Sequence, residues 1–116
     1  MSDVTIYHNP RCGTSRTTLD LIRKRGIEPK VMEYLKTPPT VRELDAILKL
    51  LGMEPREVMR TKEPGYAEYK LDNPKLTRAE LIAAMVQHPI LIQRPIVLSK
   101  GKAALGRPPE NVEKIL

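Results

Sequence analysis

The chain has 116 residues, no Phe or Trp, a single cysteine, and 20 Lys and Arg against 14 Asp and Glu for a net charge of +6. That length suits one domain with one core, built here from Leu, Ile, Val, Met and Tyr. No apolar run approaches the roughly 20 residues a membrane span needs, and no apolar leader is visible. A lone thiol with no internal disulfide partner fits a reducing compartment, so the expected location is cytoplasmic. The positive balance favours anionic partners, but four Tyr, no long basic run and no zinc-finger spacing argue against nucleic acid.

Asp3 to His8 reads as a buried strand with Val4 and Ile6 on one face. Asn9-Pro10 is a turn signal, because Pro10 fixes its own φ and biases Asn9 towards extended backbone. Cys12 then stands where a helix opens, over about Thr14 to Arg25, with Leu19 and Ile22 inward and Gly26 as its stop. A second strand, Lys30 to Leu35, is expected to turn Val31 and Met32 inward and to pair in parallel with the first.

Past Thr37-Pro38-Pro39, Thr40 and Glu43 make a capping box before Leu44, Ile47, Leu48 and Leu51, and Gly52 ends that helix. Pro55 opens a short helix to about Met59, and Thr77 with Glu80 caps another that carries Leu81, Ile82, Met85 and Val86. Residues 66–75 give no readable period. Pro95 to Leu98 is a buried strand, Ser99 to Lys102 a hairpin turn, Ala103 to Gly106 an edge strand, and Glu110 to Leu116 a closing helix. The order β-α-β, a helical insertion at about 40–88, then β-β-α predicts an α/β, thioredoxin-like four-stranded mixed sheet in a single domain over 1–116. In open sheets of this kind the site lies beyond the carboxyl ends of the parallel strands, which is where Cys12 falls.

The neighbours of Cys12 are Asn, Pro, Arg, Gly, Thr and Ser, unlike the apolar setting of an inert buried cysteine. A helix N-terminus and nearby cations lower a thiol pKa, so Cys12 reads as a thiolate nucleophile. Gly13 lets the backbone come close to whatever the thiol binds. His8 would help only if protonated and near the sulfur. Dithiol chemistry of the Cys-x-x-Cys kind is excluded because the second position is Ser15, so an external thiol must resolve any mixed disulfide. A phosphatase loop with arginine six residues after the cysteine is excluded because that position is Thr18. Arginines distant in sequence must therefore meet an anion, and the candidates beside turns or prolines are Arg60, Arg94 and Arg107. Taken singly each could be a surface ion-pair partner, except Arg94, which sits in an apolar segment before Pro95 where an unpaired charge is costly. A cis bond at Pro95 is a further expectation. His88 reads as a helix-end residue, and with two His, one Cys and no ligand spacing no metal site is expected.

His8-Asn-Pro-Arg-Cys12-Gly-Thr-Ser15, together with His88-Pro-Ile-Leu-Ile-Gln-Arg94-Pro-Ile-Val97, resembles the glutaredoxin-coupled arsenate reductase family over nearly the whole chain. The resemblance implies that Cys12 is the catalytic nucleophile towards arsenate, that His8 and Ser15 favour its thiolate, and that Arg60, Arg94 and Arg107 bind the oxyanion. It implies no bound cofactor, glutathione as co-substrate and glutaredoxin as protein partner. Two other readings stand beside it: a thioredoxin-fold adaptor that binds a protein partner and uses Cys12 as a redox sensor, and a general deglutathionylating monothiol.

Overall fold

A computed structural model describes residues 3–116. Its elements are β1 (Thr5–His8), α1 (Gly13–Lys24), β2 (Lys30–Glu33), α2 (Val41–Leu51), α3 (Pro64–Glu68), α4 (Arg78–Gln87), β3 (Ile96–Ser99) and β4 (Lys102–Leu105). Turns of 3-10 helix lie at Pro55–Val58, Pro89–Leu91 and Pro109–Ile115. The chain divides into two compact units, one from the N-terminus to Thr37 together with Arg94–Leu116, the other Pro38–Gln93. Among the described residues no helix is long and apolar enough to cross a membrane.

The first unit holds one sheet in the order β2-β1-β3-β4. β1 and β2 run parallel, while β1–β3 and β3–β4 are antiparallel. This is the expected thioredoxin-like sheet. α1 covers one face, where Val4, Ile6, Leu19, Ile22, Val97 and Val112 form the core. Each such side chain, once fully buried, contributes roughly 1.5–3 kcal/mol. α1 carries Arg23 and Lys24 in its last turn, against the negative end of its dipole, and the chain leaves through Gly26 at φ 78°.

Val31 does not turn inward as expected. It is 36 % exposed, although it pairs with the fully buried Ile6. The reason is position in the sheet: β2 is an edge strand, and the core that closes over Ile6 and Val97 does not include it. The closing helix is also tighter than expected, a run of 3-10 helix that buries only Val112.

In the second unit both capping boxes form. Thr40 Oγ1 accepts the Glu43 N–H at 3.1 Å and Glu43 accepts the Thr40 N–H at 3.0 Å; Thr77 and Glu80 repeat the pattern at 3.1 and 3.0 Å. Gly52 ends α2 at φ 67°. The stretch without a readable period is organised by tertiary contacts. α3 starts on Pro64, Lys70 turns the chain at φ 55°, and the Arg56 guanidinium donates to the carbonyls of Leu71 and Asn73.

The β3–β4 hairpin sets the geometry that matters most. Its two-residue turn, Lys100-Gly101, has positive φ at both positions (54° and 76°), the form that matches strand twist. Ile96 then pairs with Leu105, and the Gly106 N–H donates to the Pro95 carbonyl at 2.9 Å, so the ladder continues past both strands. A Cβ on Gly106 would lie 2.8 Å from Pro95 Cγ and 2.9 Å from Thr18 Oγ1, closer than real side chains approach. Both obstacles are stiff, one a ring and the other a fully buried β-branched residue. Gly106→Ala should therefore destabilise the protein by about 1–3 kcal/mol, as overpacking does. Urea unfolding measures this, and adding Thr18→Ala should restore part of the loss. A Gly106→Ala protein with the parent's unfolding midpoint would show that the close approach is not needed.

Candidate active site

β1 delivers His8 to the carboxyl end of the sheet, and after four loop residues the chain enters α1 at Gly13. Asn9 ties this loop together. It is buried, its carbonyl accepts the Cys12 N–H at 3.0 Å, its Oδ1 accepts the Arg11 N–H at 3.0 Å, and its own N–H donates to Ser15 Oγ at 3.1 Å. Sequence reasoning used Asn9 only as a turn signal. The side-chain turn that Asn makes two residues on was the available clue.

Cys12 occupies the N-cap of α1 in extended geometry (φ −94°, ψ 122°) and makes no side-chain cap. The amides of the first helical turn therefore remain available to a negative group. The thiol is half-buried. Burial, the largest influence, pushes its pKa up; the Ser15 backbone N–H, the Arg94 guanidinium by hydrogen bond and charge, and Arg107 outweigh it and bring the pKa below the ordinary thiol range. Arg107 Nη1 approaches Sγ at 4.0 Å.

Ser15 is fully buried, and its Oγ meets His8 Nδ1 at 2.6 Å. The His8 pKa is lowered, chiefly by burial; Glu33 pulls it up, and Arg23 and Arg16 push it further down. The shift favours the neutral imidazole, and the ring's contact is with Ser15 Oγ. The condition set for a charge effect of His8, that the ring be protonated, is thus disfavoured by its burial.

The hairpin brings the cations. Beyond the last ladder pair, Ile96 and Leu105, the Gly106 N–H still reaches the Pro95 carbonyl, which brings together the segments that carry Arg94 and Arg107. Arg107 Nη1 donates to the Arg94 carbonyl at 2.9 Å, which fixes its guanidinium beside Sγ. Arg94 Nε and Nη1 are buried and have no acceptor among the described residues. Paired guanidinium donors in that state suit two oxygens of one anion. The Arg94–Pro95 bond is cis, as expected, and so is Arg107–Pro108.

The first unit therefore gathers Cys12, His8, Ser15, Gly13, Arg94, Pro95 and Arg107. Arg60 belongs to the second unit. There its Nη1 pairs with Glu63 at 2.6 Å and donates to the Ile90 carbonyl at 3.4 Å. At Gly13 a Cβ would meet only Arg16 Nη2, at 3.8 Å, so the fold itself does not require glycine there. The glycine it does require is Gly106, which sequence reasoning placed at a strand end and gave no role.

The ArsC family model matches residues 7–115. The chain is 49 % identical over 117 residues to an arsenate reductase of Neisseria meningitidis serogroup A, with all of both chains covered. It is 51 % identical over 114 residues to an uncharacterized protein of Escherichia coli, covering 97 % of this chain and 96 % of that one. Among solved structures, an arsenate reductase from Vibrio cholerae superposes with a TM-score of 0.95 at 50 % identity, covering 97 % of each chain. The chain belongs to the ArsC family.

Proposed function

We propose that this protein is an arsenate reductase, an oxidoreductase in which Cys12 is the nucleophile, Ser15 and His8 support its thiolate, and Arg94 and Arg107 bind the oxyanion. One observation carries the reading: a half-buried thiol of lowered pKa lies beside the guanidiniums of Arg94 and Arg107, the former with buried donors that have no acceptor among the described residues. Such donors, with the helix amides, offset the cost of bringing an anion out of water. Arg60 has a carboxylate partner in its own unit, and the proposal rests on Arg94 and Arg107 alone.

The cycle follows from the lone thiol. The Cys12 thiolate attacks arsenic and an arsenate oxygen leaves as water after protonation. A glutathione thiolate then attacks Sγ. The electron pair of the sulfur–arsenic bond passes to arsenic, arsenic falls from the pentavalent to the trivalent state, and arsenite leaves. Cys12 is left in a mixed disulfide with glutathione. Glutaredoxin attacks the glutathione sulfur and expels the Cys12 thiolate, which a lowered pKa makes the better leaving group. With no second cysteine in the chain, these thiols come from outside, which supports a reducing, cytoplasmic setting.

Purified protein should reduce arsenate only when glutathione and glutaredoxin are both supplied, and Cys12→Ser should be inactive. Arg94→Lys keeps the charge and loses paired donation, so kcat/KM for arsenate should fall about 10- to 100-fold, as for loss of a charged hydrogen bond. Steady-state arsenite formation measures both. Turnover by Cys12→Ser would remove the thiol from the reaction, and an unchanged Arg94→Lys enzyme would remove the guanidinium fork.

A further inference from the structure

We propose that the pole of the first unit opposite Cys12 holds a binding site for a small apolar primary amine. The thiol loop follows the carboxyl end of β1. At the amino end of the same strand lies an open cleft of about 620 Å³, a size within the roughly 300–1,000 Å³ usual for small-molecule sites. Three segments frame it: the exit of α1 at Gly26, the β3–β4 turn at Lys100, and the end of the last 3-10 run at Leu116. Its wall is apolar at Val4, Ile27 and Leu116, which belong to the core or pack against it.

Ser99 is the group that points to a ligand. It lines the cleft and ends β3, on the same face of the strand as the core residue Val97 two positions earlier. Only 2 % of it is exposed, yet its Oγ has no hydrogen-bond partner among the described residues. An unpaired buried hydroxyl is costly, and native chains rarely keep one unless something outside the chain satisfies it. The charges indicate what that is. The chain as a whole is +6, but the cleft reverses the sign, with Asp3 and Glu28 in its wall against Lys100. Glu28 is held by Arg23 at 3.1 Å, and Lys100 Nζ donates to the Leu116 carbonyl at 3.1 Å. Asp3 makes no ion pair among the described residues. The two uncommitted groups are therefore a carboxylate and a hydroxyl. A primary ammonium donates to both, and its carbon body covers the apolar wall. The negative end of the α1 dipole, which also falls here, favours a cation again. A ligand carboxylate would instead meet Asp3 and Glu28 as like charges.

The test leaves arsenate and the thiol out. Isotope-labelled protein is titrated with isoamylamine and its amide chemical shifts are followed. The Gly26, Ile27 and Lys100 amides should move and saturate, with a Kd on the order of millimolar for so small a ligand, while the Gly13 amide stays in place. Isoamyl alcohol and isocaproate keep the carbon body but lose or reverse the charge. Each should bind about tenfold more weakly or worse, the effect of losing a charged hydrogen bond. Asp3→Asn should weaken the amine roughly two- to fivefold, as for an exposed charge contact, and Ser99→Ala roughly three- to tenfold. Ser99→Ala also removes an unpaired hydroxyl, so without amine its urea midpoint should equal or exceed the parent's. Shifts that do not saturate, or isocaproate bound as tightly as the amine, overturn the site. So does a Ser99→Ala protein that binds the amine like the parent, which would assign the hydroxyl to a bridging water alone. A Ser99→Ala protein less stable than the parent would show that the chain itself satisfies the hydroxyl, and overturns the proposal equally.

Discussion

The site depends on hairpin register. Lys100-Gly101 closes β3–β4 with two residues, which carries the Gly106 N–H to the Pro95 carbonyl and brings together the segments of Arg94 and Arg107. A slip of one residue would send alternate side chains to the opposite face and part the two guanidiniums. Two cations held beside one thiol repel, and the fold keeps them there by rigid means. Gly106 packs against Pro95 and Thr18 with no room for a methyl group, and Arg107 is locked to the Arg94 carbonyl. An anion between them relieves the repulsion, and the Cys12 thiolate is the anion the protein itself supplies.

Each half of the site comes from a different end of the chain. The loop between β1 and α1 supplies the thiol and α1 the amide donors; the segments just before β3 and just after β4 supply the guanidiniums. The sheet order β2-β1-β3-β4 joins them, because β1 and β3 are hydrogen-bonded neighbours although Tyr7 and Ile96 are far apart in sequence. The loop between β1 and α1 is correspondingly stiff. Asn9 takes three of its hydrogen bonds, and buried Ser15 and His8 hold it from below. A thiolate positioned in this way needs no rearrangement to meet a tetrahedral anion.

Features that rest on local chemistry were legible in the sequence: both Thr–Glu capping boxes, the Gly52 stop, the two-residue hairpin turn and the solitary thiol at a helix start. Arg60, Arg94 and Arg107 were named as partners for Cys12 because the absence of a local arginine forced the search outward, and of these Arg94 and Arg107 belong to the same unit as the thiol. What escaped was tertiary. The role of Asn9 lies in side-chain bonds to Arg11 and Ser15, and that of Gly106 in an approach to residues 11 and 88 positions away. Val31 looked like core because β propensity does not say which strand is the edge. Residues 66–75 show no period because Arg56, not an apolar face, holds part of them. His8 was given a charge effect only if protonated, and its burial, which no sequence pattern reveals, disfavours that form.

The central claim is electrostatic: Arg94 and Arg107, with the Ser15 amide, overcome the burial that would otherwise keep the Cys12 thiol protonated. The most direct measurement is the pH dependence of Cys12 alkylation by a neutral reagent, since only the thiolate reacts. A lowered pKa means that the thiolate persists as pH falls below the ordinary thiol value of about 8.5, so the parent's rate should have its inflexion below that value. In Arg94→Met, where the hydrogen bond and the charge are both lost, the inflexion should move up towards the ordinary value. An ordinary inflexion in the parent, or one that Arg94→Met leaves in place, would contradict the account.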